Sequence, residues 1–312
     1  TPVHWLNHWA ETTPERVFLH QPVERKIQTH TWLQIKSKVE SIAAALHHLG
    51  LNHGDKVAIL AKNCAEWLIA DLAIMRAGMI SVPIYPSANA DTIQYVLEHS
   101  EAKAAFIGKL DNWQTAEPGV TGNVIRISMN YPSMPCQYDW HKLDSLGAPI
   151  AEYLPKLDDL MSIIYTSGST GNPKGAMISY RAYHWANDRI VDILGFTDKE
   201  RFLSYLPLAH ITERCLVEGA AYHSNMTLYF TESLEHFVAD LNYAKPTVFF
   251  SVPRLWSLFQ KNIIDKIGNS KLNLLLKIPV IKGIIGKKIR TGLGLDHARL
   301  AASGSAPISP AI

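Results

Sequence analysis

The densest chemistry in the sequence is Thr166-Ser-Gly-Ser-Thr-Gly171, with four hydroxyls and two glycines in six residues. Glycine lets backbone N–H groups approach an anion closely, and hydroxyls add donors for phosphate oxygens. Pro173 restricts the backbone just ahead of Lys174, whose fixed positive charge suits a polyphosphate. The same residue types also make an ordinary polar hairpin turn, and composition alone leaves both readings open. The order is not the GxxxxGK[ST] loop, because Gly175 follows the lysine.

Other chemistries find less support. The fourteen histidines are scattered, without HExxH or a similar ligand spacing. Cys64, Cys136 and Cys215 are odd in number and far apart, which argues against a disulfide framework or zinc site and fits a reducing compartment. A formal net charge of +2, with 19% charged residues, is not the balance of a nucleic-acid binder. The N-terminal stretch has no basic segment followed by an apolar one, so it does not read as a signal peptide, and the missing initiator Met reads as trimming. No apolar run is long enough to suggest a transmembrane helix. The expected location is therefore the cytoplasm.

These residues need a scaffold, and 312 residues with 47% hydrophobic content are enough for a sizeable core in two subdomains. Thr31 and Gln34 have capping-box spacing, and Ile35, Val39, Ile42, Leu46 and Leu49 then mark one helical face that stops at Gly50. Val57–Leu60 reads as a buried strand. Asn63 is placed to cap a helix carrying Trp67, Leu68, Leu72 and Met75, and Ile80–Tyr85 is the next strand. Asp91 is placed to cap a helix to about Glu98; Ala104–Ile107 and Asn123–Ser128 read as strands, and Asp111–Pro118 as a loop. Tyr131–Ala148 reads as an irregular connector between subdomains 1–150 and 151–312.

Beyond it, Met161–Tyr165 and Gly175–Ser179 read as strands around a Thr166–Lys174 loop, with a helix over Arg181–Leu194. Strands at Phe202–Tyr205, Thr227–Phe230 and Val248–Ser251 then alternate with helices at Ile211–His223, Leu234–Asn242 and Arg254–Ile264. This alternation predicts an α/β fold with largely parallel sheets flanked by helices.

Three strings carry a resemblance. Tyr165–Gly175 (YTSGSTGNPKG) resembles the signature of the adenylate-forming superfamily, which includes acyl-CoA synthetases, firefly luciferase and peptide-synthetase adenylation domains. Leu206–Arg214 (LPLAHITER) resembles its LPLxH segment, and Ala302–Pro310 (ASGSAPISP) its GGAPLSPE segment. Phe250–Trp256 (FSVPRLW) resembles a segment of long-chain fatty acyl-CoA synthetases. The resemblance runs from near residue 30 to the last residue, and is diffuse in the first third.

The resemblance implies the N-terminal region of the adenylate-forming fold. It implies that Thr166, Ser167, Gly168, Ser169, Thr170, Gly171 and Lys174 face the triphosphate of ATP, with Thr166 near its Mg²⁺. It places Gly304, Ser305, Ala306 and Pro307 against adenine, and His210 beside the carboxylate being activated. Taken alone, His210 would read as a structural histidine. The implied reaction joins a carboxylic acid to ATP as an acyl-adenylate and passes the acyl group to coenzyme A; long-chain fatty acids are the expected substrate class.

The sequence also departs from the pattern. Ser169 stands where Thr is commoner, and Glu213-Arg214 where some members carry a bulky aromatic. The segments that follow the adenine motif in the family are not found: a YGxTE strand, a ribose-binding aspartate and a C-terminal domain with a catalytic lysine. The expectation is an incomplete N-terminal part, inactive alone and at best a weak nucleotide binder. The alternatives are a ligase that loads a carrier protein and a non-catalytic nucleotide- or acyl-binding module. Leu272–Arg290 mixes aliphatics with five cations. It reads first as two short surface helices broken at Pro279 with snorkelling lysines, and second as a peripheral contact with the inner membrane surface. Nothing in the sequence fixes the oligomeric state.

Overall fold

The first hundred residues alternate short apolar runs with capped amphipathic stretches, and the computed structural model turns each run into a strand. It describes residues 1–130, 134–166 and 172–309. Two compact units emerge: Thr1–Asp198 with Ser204–Phe230, and Lys199–Leu203 with Thr231–Ile312.

The first unit opens with α1 (Pro2–Thr12), the hairpin β1 (Val17–Val23) and β2 (Lys26–Thr31), and α2 (Trp32–His48). The predicted capping box closes as expected: Gln34 N donates to Thr31 Oγ1 at 3.3 Å, and Thr31 N to Gln34 Oε1 at 2.9 Å. Next come β3 (Lys56–Ala61), α3 (Ala65–Arg76), β4 (Ile80–Ile84), α4 (Ala90–Ser100) and β5 (Ala102–Gly108). Every residue of α3 is buried, as expected for a helix apolar on most of its surface.

The chain continues through α5 (Trp113–Ala116), β6 (Ile125–Ser128), β7 (Tyr138–Asp139), β8 (Leu160–Thr166), β9 (Lys174–Ser179) and α6 (Tyr180–Leu194). Seven strands form one sheet in the order β7-β6-β5-β3-β4-β8-β9. Its pairs are parallel except β8 with β9, which are antiparallel. The expected boundary at residue 150 falls between β7 and β8, two strands of this one sheet.

After β10 (Arg201–Ser204) come α7 (Ile211–Glu213), a π-helical turn (Arg214–Gly219), α8 (Ala220–Ser224) and β11 (Thr227–Phe230). β11 runs parallel to β1, which pairs on its other side with β2. The second unit adds α9 (Phe237–Ala244), β12 (Val248–Ser251), α10 (Pro253–Ile267), α11 (Asn269–Leu276), α12 (Pro279–Gly292) and β13 (Leu300–Ser303). There β12 lies between β10 and β13, parallel to both.

Several local expectations are corrected. Asn63 does not cap α3: its N-cap is Cys64, whose own side chain makes no cap bond, and Gln21 Oε1 accepts from Ala65 N at 3.1 Å. Asn89, not Asp91, caps α4, because its Oδ1 reaches Thr92 N at 2.9 Å. Asp111–Pro118 is not a loop: Trp113 and Ala116 pack into the core, which winds α5 and a following 3₁₀ turn. Within the connector, β7 joins the sheet and Lys142–Ser145 forms a 3₁₀ turn, while residues 131–133 lie outside the described ones. The helix expected over Ile211–His223 is divided by the π turn, and the one over Leu234–Asn242 starts later, after Ser233 Oγ accepts from His236 N. Leu272–Arg290 is indeed two helices, with Pro279 opening the second.

The cap assignment is testable. Asn89→Ala is expected to lower unfolding stability by about 1 kcal/mol, and Asp91→Asn by no more than a few tenths. Urea melts of the two variants check the order.

Candidate functional site

β8 and β9 are the two sides of a hairpin, and their antiparallel register sets Thr166 opposite Lys174 and Tyr165 opposite Gly175. Thr166 and Lys174 are exposed. Among the described residues Lys174 has no ion-pair partner. The residues between them, Ser167, Gly168, Ser169, Thr170 and Gly171, lie outside the described residues.

The neck of the hairpin is built tightly. Tyr165 is 5% exposed, and its hydroxyl lies 2.8 Å from His99 Nδ1 on α4. Burial pushes the Tyr165 phenol above its usual range, so it stays a neutral hydrogen-bonding group. Opposite it, a Cβ on Gly175 would lie 2.7 Å from Ile163 Cγ2 and 3.3 Å from the Tyr165 ring. Only glycine fits that close approach without a shift. A cavity of about 290 Å³ borders the neck, lined in part by Tyr85, Thr92, Tyr165 and Pro173.

His210 lies on a separate segment. It is exposed, and Thr212 N donates to its Nδ1 at 3.1 Å, so that nitrogen is the acceptor and a neutral ring carries its proton on Nε2. The segment ahead of it is held by Asn63. Asn63 Nδ2 donates to Leu206 O at 2.7 Å and to Ser204 Oγ at 2.8 Å, while Asn63 Oδ1 accepts from Leu208 N at 3.2 Å. One amide thus satisfies backbone groups on both sides of Pro207. Glu213 closes the far side, accepting from Ser204 Oγ at 2.9 Å and Tyr205 N at 3.2 Å. Burial raises the Glu213 carboxyl to about 8, against the partial opposition of those two donors.

The sequence reading missed Asn63 and Glu213. A polar residue just ahead of a helix signals a cap, but its amide can equally serve a loop far along the chain. Glu213 was visible only as a departure from the pattern.

Gly304, Ser305, Ala306 and Pro307 follow β13 in the second unit. Gly304 N donates to Ser251 O at 3.1 Å. A Cβ on Gly304 would lie 2.7 Å from Phe250 Cζ, so glycine leaves backbone and ring in direct contact. Ser305 takes a left-handed φ of 67°, and Ser305, Ala306 and Pro307 are exposed. The structure therefore brings Thr166 and Lys174 together as strand partners. His210 is held by another set of bonds, and the four residues after β13 belong to the other unit.

The AMP-binding enzyme family matches residues 6–312. The chain belongs to that family. Fatty acyl-CoA synthetase A of Dictyostelium discoideum is 27% identical over 90% of this chain and 47% of its own length. A long-chain-fatty-acid–CoA ligase of Mycobacterium bovis is 29% identical over 95% of this chain and 54% of its own. The chain thus spans about half the length of the curated relatives it matches. Among solved structures, the A-PCP didomain of a Segniliparus rugosus carboxylic acid reductase, in complex with AMP, superposes with a TM-score of 0.82. It is 20% identical and covers 99% of this chain and 49% of that one. This likeness shows that the α/β architecture is that of the family's N-terminal part.

Two variants test the clamp. Asn63→Ala strands buried backbone groups and is expected to cost about 3 kcal/mol, measured by denaturant unfolding. Glu213→Gln keeps the acceptor and removes the titration. Burial lifts the folded carboxyl to about 8, above the ordinary carboxylate range, so its stabilising contribution is complete below that ordinary range and lost as pH rises to about 8. Glu213→Gln is expected to flatten the fall in stability across that window, as read from melting temperature against pH.

Proposed function

We propose that the protein containing this chain is a fatty acid–CoA ligase. A fatty carboxylate oxygen attacks the α-phosphorus of ATP; the bond to the β-phosphate bridging oxygen breaks and pyrophosphate departs. The coenzyme A sulfur then attacks the acyl carbon, its proton passes to solvent, and AMP leaves. The observation that carries this reading is the strand pair Thr166 and Lys174, both exposed, with Lys174 free of an ion-pair partner among the described residues, at the ends of a hydroxyl-rich sequence in a chain of the AMP-binding family.

The residues present fit the nucleotide. In this reading Thr166, Ser167, Gly168, Ser169, Thr170 and Gly171 offer hydroxyl and N–H donors to the triphosphate, and Lys174 offers charge that strengthens as negative charge builds on the departing pyrophosphate. Gly304, Ser305, Ala306 and Pro307 form the adenine wall in this reading, with the Phe250 ring packed against the Gly304 backbone where a Cβ would stand. His210, with its proton on Nε2, donates toward the carboxylate. Among the described residues no cluster of three acidic, histidine or cysteine side chains could hold a metal. In this reading the Thr166 hydroxyl would lie toward Mg²⁺, and the ion when bound would neutralise triphosphate charge.

Long-chain fatty acid is the substrate class, on the strength of what the curated relatives are called and of the SVPRLW segment that opens α10. No described helix is long and apolar enough to cross a membrane.

The test is ATP–pyrophosphate exchange by the full-length protein with fatty acids of increasing length, followed by acyl transfer with coenzyme A and a carrier protein offered together. Exchange that rises with long-chain acids and thioester formed on coenzyme A are expected. Lys174→Ala should cut exchange at least about tenfold at subsaturating ATP. Exchange without any acid dependence, or acyl transfer to the carrier protein alone, would overturn the assignment.

A further inference from the structure

Charge in this chain is segregated. Between Asp265 and Asp296 there is no carboxylate, while Lys266, Lys271, Lys277, Lys282, Lys287, Lys288 and Arg290 contribute seven cations. The whole chain is +2, so everything outside this stretch carries a net −5. None of the seven cations has an ion-pair partner among the described residues. Elsewhere in the molecule Arg and Lys are repeatedly paired, as in Lys38 with Asp144 and Arg76 with Glu40.

The same stretch exposes apolar side chains that a surface helix ordinarily turns inward. Leu274 is 64% exposed, Ile278 43%, Val280 73% and Ile284 64%, and α12 buries none of its residues. Val280 and Ile284 are four residues apart, and Lys287 and Lys288 follow Ile284 by three and four. One face of α12 is thus an apolar stripe continued by cations. Beside it, α10, α11 and α12 enclose a largely apolar groove of about 480 Å³ with Lys266, Lys271 and Lys288 among its lining.

We infer that the α11–α12 face of the second unit is a docking surface for an anionic lipid bilayer. Four to eight cations on an amphipathic helix are the charge pattern that anionic headgroups attract, and each one near the surface adds to binding. Leu274, Ile278, Val280 and Ile284 enter the boundary between headgroups and acyl chains, while the lysine stems run along the apolar surface and leave their ammonium groups among the phosphates. A water-soluble protein partner would be expected to leave cations of this density paired or interspersed with acids. A nucleic acid would use the cations but leave the four aliphatics without a role. The surface belongs to the second unit and shares no residue with the Thr166–Lys174 hairpin, so it operates whether or not the proposed ligase chemistry does.

The experiment is flotation of the full-length protein with vesicles of phosphatidylcholine alone and of equal parts phosphatidylcholine and phosphatidylglycerol. Flotation with the anionic vesicles only, weakened by high salt, is expected. Lys282→Ala/Lys287→Ala/Lys288→Ala should lower vesicle affinity at least about tenfold. Val280→Ser/Ile284→Ser should lower it with the cations intact, with circular dichroism verifying that both variants fold. Equal flotation with neutral vesicles, no flotation, or wild-type flotation by both variants overturns the inference. So does a monomer–dimer shift on Val280→Ser/Ile284→Ser without loss of flotation, which would assign the face to a second copy. Duplex DNA that binds in the absence of vesicle binding would assign it to nucleic acid.

Discussion

Arg214 carries a charge in the middle of the first unit, where neither it nor its partners are exposed. Its Nη2 lies 2.6 Å from Asp71 Oδ2 on α3 and its Nε 3.3 Å from Glu218 Oε2 on the π turn, all at 0% side-chain exposure. The guanidinium also sits 5.2 Å from the centre of the Trp67 ring. Burial alone would drive the proton off, but Asp71 and Glu218 outweigh it and hold Arg214 charged. Removing one member of such a cluster strands the others and costs about 3–5 kcal/mol. The cluster ties α3 to the π turn, and Tyr183 joins α6 to it by donating to Arg214 O at 3.0 Å.

The candidate site inherits this constraint. Arg214 is adjacent to Glu213, and Glu213 holds Ser204 and Tyr205 on the strand side of the LPLAH segment. Asn63, two residues ahead of α3, holds the same segment from the opposite direction. His210 is exposed, yet the residues before and after it are anchored by buried polar groups: Asn63 before it, Glu213 and Arg214 after it. A π turn at Arg214–Gly219 fits this role, because widening a helix by one residue brings Arg214, Val217 and Glu218 inward together.

Most of the scaffold was legible because apolar periodicity and capping chemistry are local. β3, β5 and α2 follow from runs such as Val57–Leu60 and from the Thr31–Gln34 box; the structure extends the two strands by only a residue or two and ends α2 at His48. The misreadings share a cause. Asn63 and Asp91 were both credible caps, but a side chain's partner is decided by which donor lies within reach, and for Asn63 that partner is more than a hundred and forty residues away. Asp111–Pro118 reads as loop by composition, yet burying Trp113 in the core repays winding one turn of helix.

The hairpin shows the limit from the other side. The resemblance of Tyr165–Gly175 to a phosphate loop rests on its residue types, but types do not say why Gly175 must be glycine. The register supplies the reason: Tyr165 turns inward to His99, and its partner position must then lie flat across the ring. With the ring buried and the following position exposed, strand alternation presents Thr166 and Lys174 on the outward face. The outward exposure of Thr166 and Lys174 thus depends on an inward-facing tyrosine, which makes Tyr165 and Gly175 the residues that orient Thr166 and Lys174.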